Sequence, residues 1–164
     1  MSNGGVVITG SAGGVGWAYA GEFMDRGYDV VICDVKDCTA AAAALTQKHP
    51  AGNVYHTTCD VSDSASVENL ASFAKENLGT VNYWINNAGV NGGRRDLRDV
   101  PISQVELVVK VSLQHARRES LYNGCDRYAV VVSESWKRTY QTKINPPLFN
   151  NCENLPQSFY STKN

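Results

Sequence analysis

The sequence predicts an α/β fold built on a doubly wound parallel sheet, and three observations predict it. Short β-branched runs alternate with longer helical patterns from residue 5 onward, the arrangement of successive βαβ units. A glycine-rich turn, Gly10-Ser11-Ala12-Gly13-Gly14-Val15-Gly16, joins the first such run to the first helical pattern. The composition, 164 residues with 43% hydrophobic and 19% charged side chains, is that of an ordinary globular chain, with enough apolar side chain for one sizeable core and hence one domain.

The elements follow in order. Val6-Val7-Ile8-Thr9 reads as a buried first strand, and residues 15–26 as a helix closed by Gly27. Asp29–Asp34 is the second strand. Residues 40–48 form an alanine-rich helix of high intrinsic propensity that Pro50 stops, and 53–60 is the third strand. Ser62 or Ser64 caps the next helix, which runs to about residue 77 with Val67, Leu70, Phe73 and Ala74 on one face. Val81–Asn86 is the fourth strand, 103–119 a further helix and 128–133 a fifth strand. From 136 to 164 the chain carries Pro146, Pro147, Pro156 and many asparagines with no apolar period, so it reads as an irregular polar tail. Residues 1–135 are therefore expected to form the folded unit.

Charge and composition exclude several functions. The formal net charge is −1, and no basic run exceeds Arg94-Arg95 or Arg117-Arg118, so neither a nucleic-acid nor a membrane-surface footprint is present. No apolar stretch is long enough to span a bilayer, and the four residues before Gly5 leave no room for a signal or transit peptide in this sequence. The five cysteines, Cys33, Cys38, Cys59, Cys125 and Cys152, form no Cys-x-x-Cys pair. They read as reduced thiols, and no metal site is expected.

The glycine turn carries the first functional expectation. Between a strand and a helix it can hold a pyrophosphate: Gly10 allows the tight turn, Gly14 lets backbone N–H groups approach the phosphates, and Gly16 lets helix and strand pack closely. Ser11 and Val15 lie within the same turn, and the helix N-terminus adds partial positive charge. Asp34, ending the second strand, stands where a carboxylate accepts hydrogen bonds from ribose hydroxyls. A carboxylate there repels a ribose phosphate, and Gly13 stands where an arginine would read one, so NAD is expected over NADP, with Lys36 softening the preference.

These residues carry a family resemblance. Thr9, Gly10, Gly14 and Gly16 match the Thr-Gly-x-x-x-Gly-x-Gly turn of the short-chain dehydrogenases/reductases, and Asn87-Ala88-Gly89 matches that family's second fingerprint. Cys59-Asp60-Val61 resembles the family's third-strand end. Gly10, Gly13 and Gly16 also satisfy the turn of the longer sugar-nucleotide epimerases, but the His-x-Ala-Ala segment typical of those enzymes is absent. The resemblance implies a Rossmann-type NAD(P)-binding domain and a carbonyl or alcohol substrate. It further implies that Asp60 meets the adenine amino group, that Val61 packs beside it, and that Asn87, Ala88 and Gly89 line the cofactor and brace the sheet. Residues 83–91 with the glycines and arginines that follow look most like the chlorophyll b reductases of plants and algae. That likeness implies a tetrapyrrole carbonyl substrate and a chloroplast setting; otherwise a cytoplasmic one is expected.

The resemblance covers about residues 5–113 and then breaks. The family's reaction needs a tyrosine to exchange a proton with the substrate oxygen and a lysine four residues later to lower its pKa and hold the nicotinamide ribose. No Tyr-x-x-x-Lys occurs here; Tyr140/Lys143 and Tyr160/Lys163 each bring the lysine one residue early. Ser112 stands where the family has a helix asparagine, Ser133 and Ser135 lack a properly spaced tyrosine behind them, and His115 has no partner spacing suggesting a substitute base. The catalytic residues are therefore unknown from this sequence. The expectation is a fold cut short after the fourth or fifth strand, with most of the oligomer interface missing and the chain inactive alone. An inactive nucleotide-binding module and a product that does not fold are the alternatives.

Overall fold

The computed structural model describes residues 2–90, 97–111 and 127–130. They form a five-stranded, all-parallel sheet in the order β3-β2-β1-β4-β5. The strands are β1 (Gly5–Thr9), β2 (Asp29–Asp34), β3 (Val54–Thr58), β4 (Val81–Asn86) and β5 (Arg127–Val130). The helices are α1 (Gly14–Asp25), α2 (Thr39–Lys48), α3 (Ser64–Leu78) and α4 (Ile102–Val109), with a 3₁₀ turn at Leu97–Asp99. The chain winds outward from β1 to β3 and then returns to β4 on the other side of β1. The strand order therefore reverses between β1 and β4, the place where open parallel sheets receive ligands.

Strands β1 and β2 are apolar at nearly every position because both their faces are covered. Val6, Val7, Ile8, Val30, Val31, Ile32 and Cys33 are all inaccessible to solvent. Alternation sends Val7, Val31, Cys33 and Trp84 into one core, where they meet Val67, Leu70 and Ala74 of α3. Val6, Ile8, Val30 and Ile32 point to the opposite face, and α1 packs against β1 and β2 with Ala20, Phe23 and Met24 buried. Each fully buried aliphatic side chain contributes about 1.5–3 kcal/mol. The edge strand β3 is only half-buried, in keeping with its polar Val-Tyr-His-Thr-Thr sequence.

Several boundaries differ from the sequence reading, each for a local reason. Helix α1 begins one residue early, at Gly14, and ends one residue early, at Asp25, with Arg26 as its C-cap, after which Gly27 turns the chain at φ 76°. Helix α3 is capped by Asp63 rather than Ser62 or Ser64: its Oδ2 accepts from Ser66 N at 3.0 Å. Ser62 cannot serve because its hydroxyl donates to Asp60 Oδ1 at 2.7 Å, and Ser64 is already in the first helical turn. Strand β3 is shorter than residues 53–60: its last ladder bond runs from Cys59 N to the Asp34 carbonyl, and the chain then turns at Asp60, whose carbonyl accepts from Asp63 N. Helix α4 starts behind Pro101 and gives way at Lys110–Val111 to a wider π-type turn. The remainder of the expected 103–119 helix, the end of the expected fifth strand and the tail from 136 lie outside the described residues.

Candidate functional site

Pairing of β1 with both β2 and β4 sets Thr9 beside Cys33 and Ile8 beside Ile85, so the carboxyl ends of the three strands open side by side. The loops leaving them frame a cleft. Of the residues expected at a site, Gly10, Asp34, Asp60, Val61, Asn87, Ala88 and Gly89 all line it. Four more had no cofactor contact expected of them, although Cys59 was quoted in the third-strand motif: Val35, Cys59, Val90 and Val111. The first three adjoin expected residues, so an apolar neighbour of a strand-end motif was the available signal. Val111 gave none, because its place depends on how α4 crosses the sheet.

The glycine turn is shaped by close contacts on one side and left open on the other. Gly10 has φ 64°, and a Cβ there would stand 2.6 Å from Ala88 Cα. A Cβ on Gly16 would stand 2.5 Å from Asn87 Nδ2 and 2.7 Å from the Gly10 carbonyl oxygen. Nothing lies within 4 Å of a Cβ built on Gly13 or Gly14, and Val15 beside them is 56% exposed. Helix α1 has no side-chain cap, so the N–H groups of its first turn are left for solvent or a ligand at the positive end of the helix dipole.

Thr9 and Ser11 are fully buried and face the sheet. Ser11 Oγ donates to the Ile8 carbonyl at 2.6 Å and accepts from Cys33 N at 3.1 Å, while Ser11 N donates to the Cys33 carbonyl. Thr9 Oγ1 accepts from the N–H groups of Asn87 at 3.2 Å and Ala88 at 3.1 Å. Asn87 completes the lock: its side-chain amide donates to the carbonyls of Thr9 and Gly10. These residues hold the turn after β1 against the loop after β4. Asn86, on the buried face with Trp84, keeps both amide atoms unpaired, as is the Trp84 indole N–H among the described residues.

The acidic side of the cleft is built by short polar turns. Asp34 Oδ2 accepts from Ala12 N at 3.3 Å and Oδ1 from Lys36 N at 3.2 Å. Asp60 Oδ1 accepts from both the N–H and the hydroxyl of Ser62. Behind Asp34, burial and then the charges of Asp34 and Asp37 push the Cys38 thiol up to about 11. Hydrogen bonds from the Thr39 hydroxyl and N–H hold Asp37 below the usual carboxylate range. Cys33, Cys38 and Cys59 are buried and not disulfide-bonded, and among the described residues no group of metal-ligating side chains comes together.

The donor set suits a dinucleotide. Two carboxylates match the hydroxyl and amino donors of an adenosine, Val35, Val61, Val90 and Val111 supply flat apolar walls, and the open space at Gly13 and Gly14 beside an uncapped helix suits a pyrophosphate. Ser112, Ser133 and Ser135 lie outside the described residues. Among the described residues no helix is long and apolar enough to cross a membrane.

Comparison with known proteins agrees with this fold. The family model for short chain dehydrogenase matches residues 5–117, and the chain belongs to that family. Chlorophyll(ide) b reductase NOL, chloroplastic, of Arabidopsis thaliana is 39% identical over 87 residues, covering 52% of this chain and 25% of that protein. The probable chlorophyll(ide) b reductase NYC1 of Oryza sativa is 33% identical over 125 residues, covering 66% of this chain and 25% of that protein. Among solved structures, levodione reductase superposes with a TM-score of 0.66 at 28% identity, over 71% of this chain and 46% of that one. An L-sorbose reductase from Gluconobacter frateurii, solved with NADPH and L-sorbose, shares the fold with a TM-score of 0.65 at 24% identity. The chain spans a quarter to a half of the length of these relatives. The fold class and family read from the sequence are thus borne out.

Proposed function

We propose that the cleft binds the adenosine and pyrophosphate of a nicotinamide dinucleotide, NAD in preference to NADP, and that residues 1–135 are the cofactor-binding unit of an oxidoreductase. The observation that carries this is the convergence of Asp34, Asp60 and Asn87-Ala88-Gly89 on one cleft with Gly10. Asp34 faces the adenosine ribose, Asp60 the adenine amino group with Val61 beside it, and the N–H groups of Gly14, Val15 and Gly16 the pyrophosphate; Thr9 and Ser11 hold the turn in place. The Asp34 charge favours NAD: opposing a ribose phosphate about 4 Å away would cost roughly 4 kcal/mol at an effective dielectric of 20.

When bound, the cofactor would supply a hydride for a carbonyl or accept one from an alcohol. Likeness to chlorophyll(ide) b reductases supports a tetrapyrrole carbonyl as substrate and the chloroplast as the setting. The proton-transferring tyrosine and its lysine have no counterpart in the 164 residues, so the chain by itself binds cofactor without turning it over.

Titration with NADH, followed through fluorescence of the three tryptophans, tests this reading. Saturable quenching by NADH, weaker for NADPH and lost in Gly14→Val, is expected. Absence of saturable binding by the folded chain would refute it, and oxidation of NADH with any carbonyl substrate would refute the statement about turnover.

A further inference from the structure

The Asp34 carboxylate touches more than the cleft. Its Oδ2 accepts from Ala12 N at 3.3 Å, across from the end of β2 to the middle of the glycine turn. Its Oδ1 accepts from Lys36 N at 3.2 Å and so fixes the carboxylate plane. One residue earlier, Ser11 N donates to the Cys33 carbonyl. The β1–β2 ladder therefore continues past the strand ends for one further bond, in which a side chain stands in for a backbone carbonyl. Around this part of the turn, Gly13 and Gly14 have open space and α1 lacks a side-chain cap.

We propose that Asp34 is a positioning residue for the glycine turn: by holding Ala12 it aims the following N–H groups at the pyrophosphate, apart from any contact with ribose. The inference rests on the dinucleotide reading above. It has a consequence for cofactor preference, because the carboxylate that rejects a ribose phosphate is the acceptor that shapes the phosphate site. Removing the charge and removing the acceptor are then separable. Asp34→Asn removes the charge and keeps an oxygen for Ala12 N, whereas Asp34→Ala removes both. Relaxed preference without loss of pyrophosphate affinity follows from the first substitution only.

Two measurements on the full chain test this. The first needs no ligand: amide hydrogen exchange at Ala12 should be about tenfold faster or more in Asp34→Ala than in wild type, and close to wild type in Asp34→Asn, with exchange in α3 unchanged in both. The second uses 2′,3′-dideoxyadenosine 5′-diphosphate, which keeps the diphosphate and lacks the ribose hydroxyls. It should bind Asp34→Asn about threefold to tenfold more tightly than Asp34→Ala, since the two variants carry equal charge. Equal Ala12 exchange in Asp34→Ala and wild type, or equal affinity of the two variants for this probe, would overturn the proposal. Failure of wild type to bind NADH would instead overturn the dinucleotide reading, and the exchange result would still decide whether Asp34 holds the turn.

Discussion

Asn87 is tied to Thr9 twice, through Asn87 N to Thr9 Oγ1 at 3.2 Å and through Asn87 Nδ2 to the Thr9 carbonyl at 3.0 Å. A third bond reaches the Gly10 carbonyl at 2.9 Å. The two family fingerprints are thus one structural unit, in which a motif after β4 sets the shape of a turn after β1.

Asn87→Ala takes the side-chain donor from the Thr9 and Gly10 carbonyls and keeps the backbone bond to Thr9 Oγ1, and should lower stability by about 1–3 kcal/mol. Urea unfolding measures it. Asn87→Asp should do at least as much damage, because a carboxylate offers no donor to either carbonyl.

The glycines of the turn should separate into two classes. Gly16→Ala forces a Cβ against Asn87 and the Gly10 carbonyl, and should cost about 1–3 kcal/mol. Gly13→Ala meets open space from extended backbone at φ −178°, and should change stability by less than about 0.5 kcal/mol. Thermal melts of the two variants side by side give the comparison.

Leu70, 1% exposed, anchors α3 on the sheet in the cluster around Trp84. Leu70→Ala should cost about 2–5 kcal/mol through lost burial and the cavity left behind. Asp63→Ala, which removes the N-terminal cap of the same helix, should cost about 0.5–2 kcal/mol. Chemical denaturation distinguishes the two sizes of effect.

Cys38 should be inert in the folded chain. Its thiol is 1% exposed and pushed up to about 11, so at neutral pH little thiolate forms. Because the folded value lies above the ordinary one, the neutral thiol's contribution to stability is fully present below about pH 9 and fades as pH rises toward about 11. Iodoacetamide at pH 7 should label Cys38 only after unfolding in guanidinium.

The buried strands and the glycine turn were legible in the sequence because each is specified locally. Val6-Val7-Ile8 and Val30-Val31-Ile32 can only be buried on both faces, and a run from Gly10 to Gly16 between strand and helix has few other uses. The α3 cap was misread because Asp63, Ser62 and Ser64 are all good capping residues, and the choice turned on Ser62 being engaged by Asp60. The inward-facing duty of Ser11 was hidden for a similar reason: a serine in a phosphate-binding turn looks like a ligand contact until its hydroxyl is seen between Ile8 and Cys33. Val111 could not be found at all, since a residue beyond α4 reaches the cleft only through tertiary packing.

The proposed function places a dinucleotide in one cleft, at the reversal of strand order. Backbone chemical-shift mapping of the labelled chain during an NADH titration tests it most directly. Saturating shifts confined to the Ala12–Gly16 turn, Asp34–Val35, Asp60–Val61 and Asn87–Val90 are expected, with α3 and the edge of β3 unmoved. Shifts scattered over the surface, or no shifts at millimolar NADH in a chain that remains folded, would contradict it.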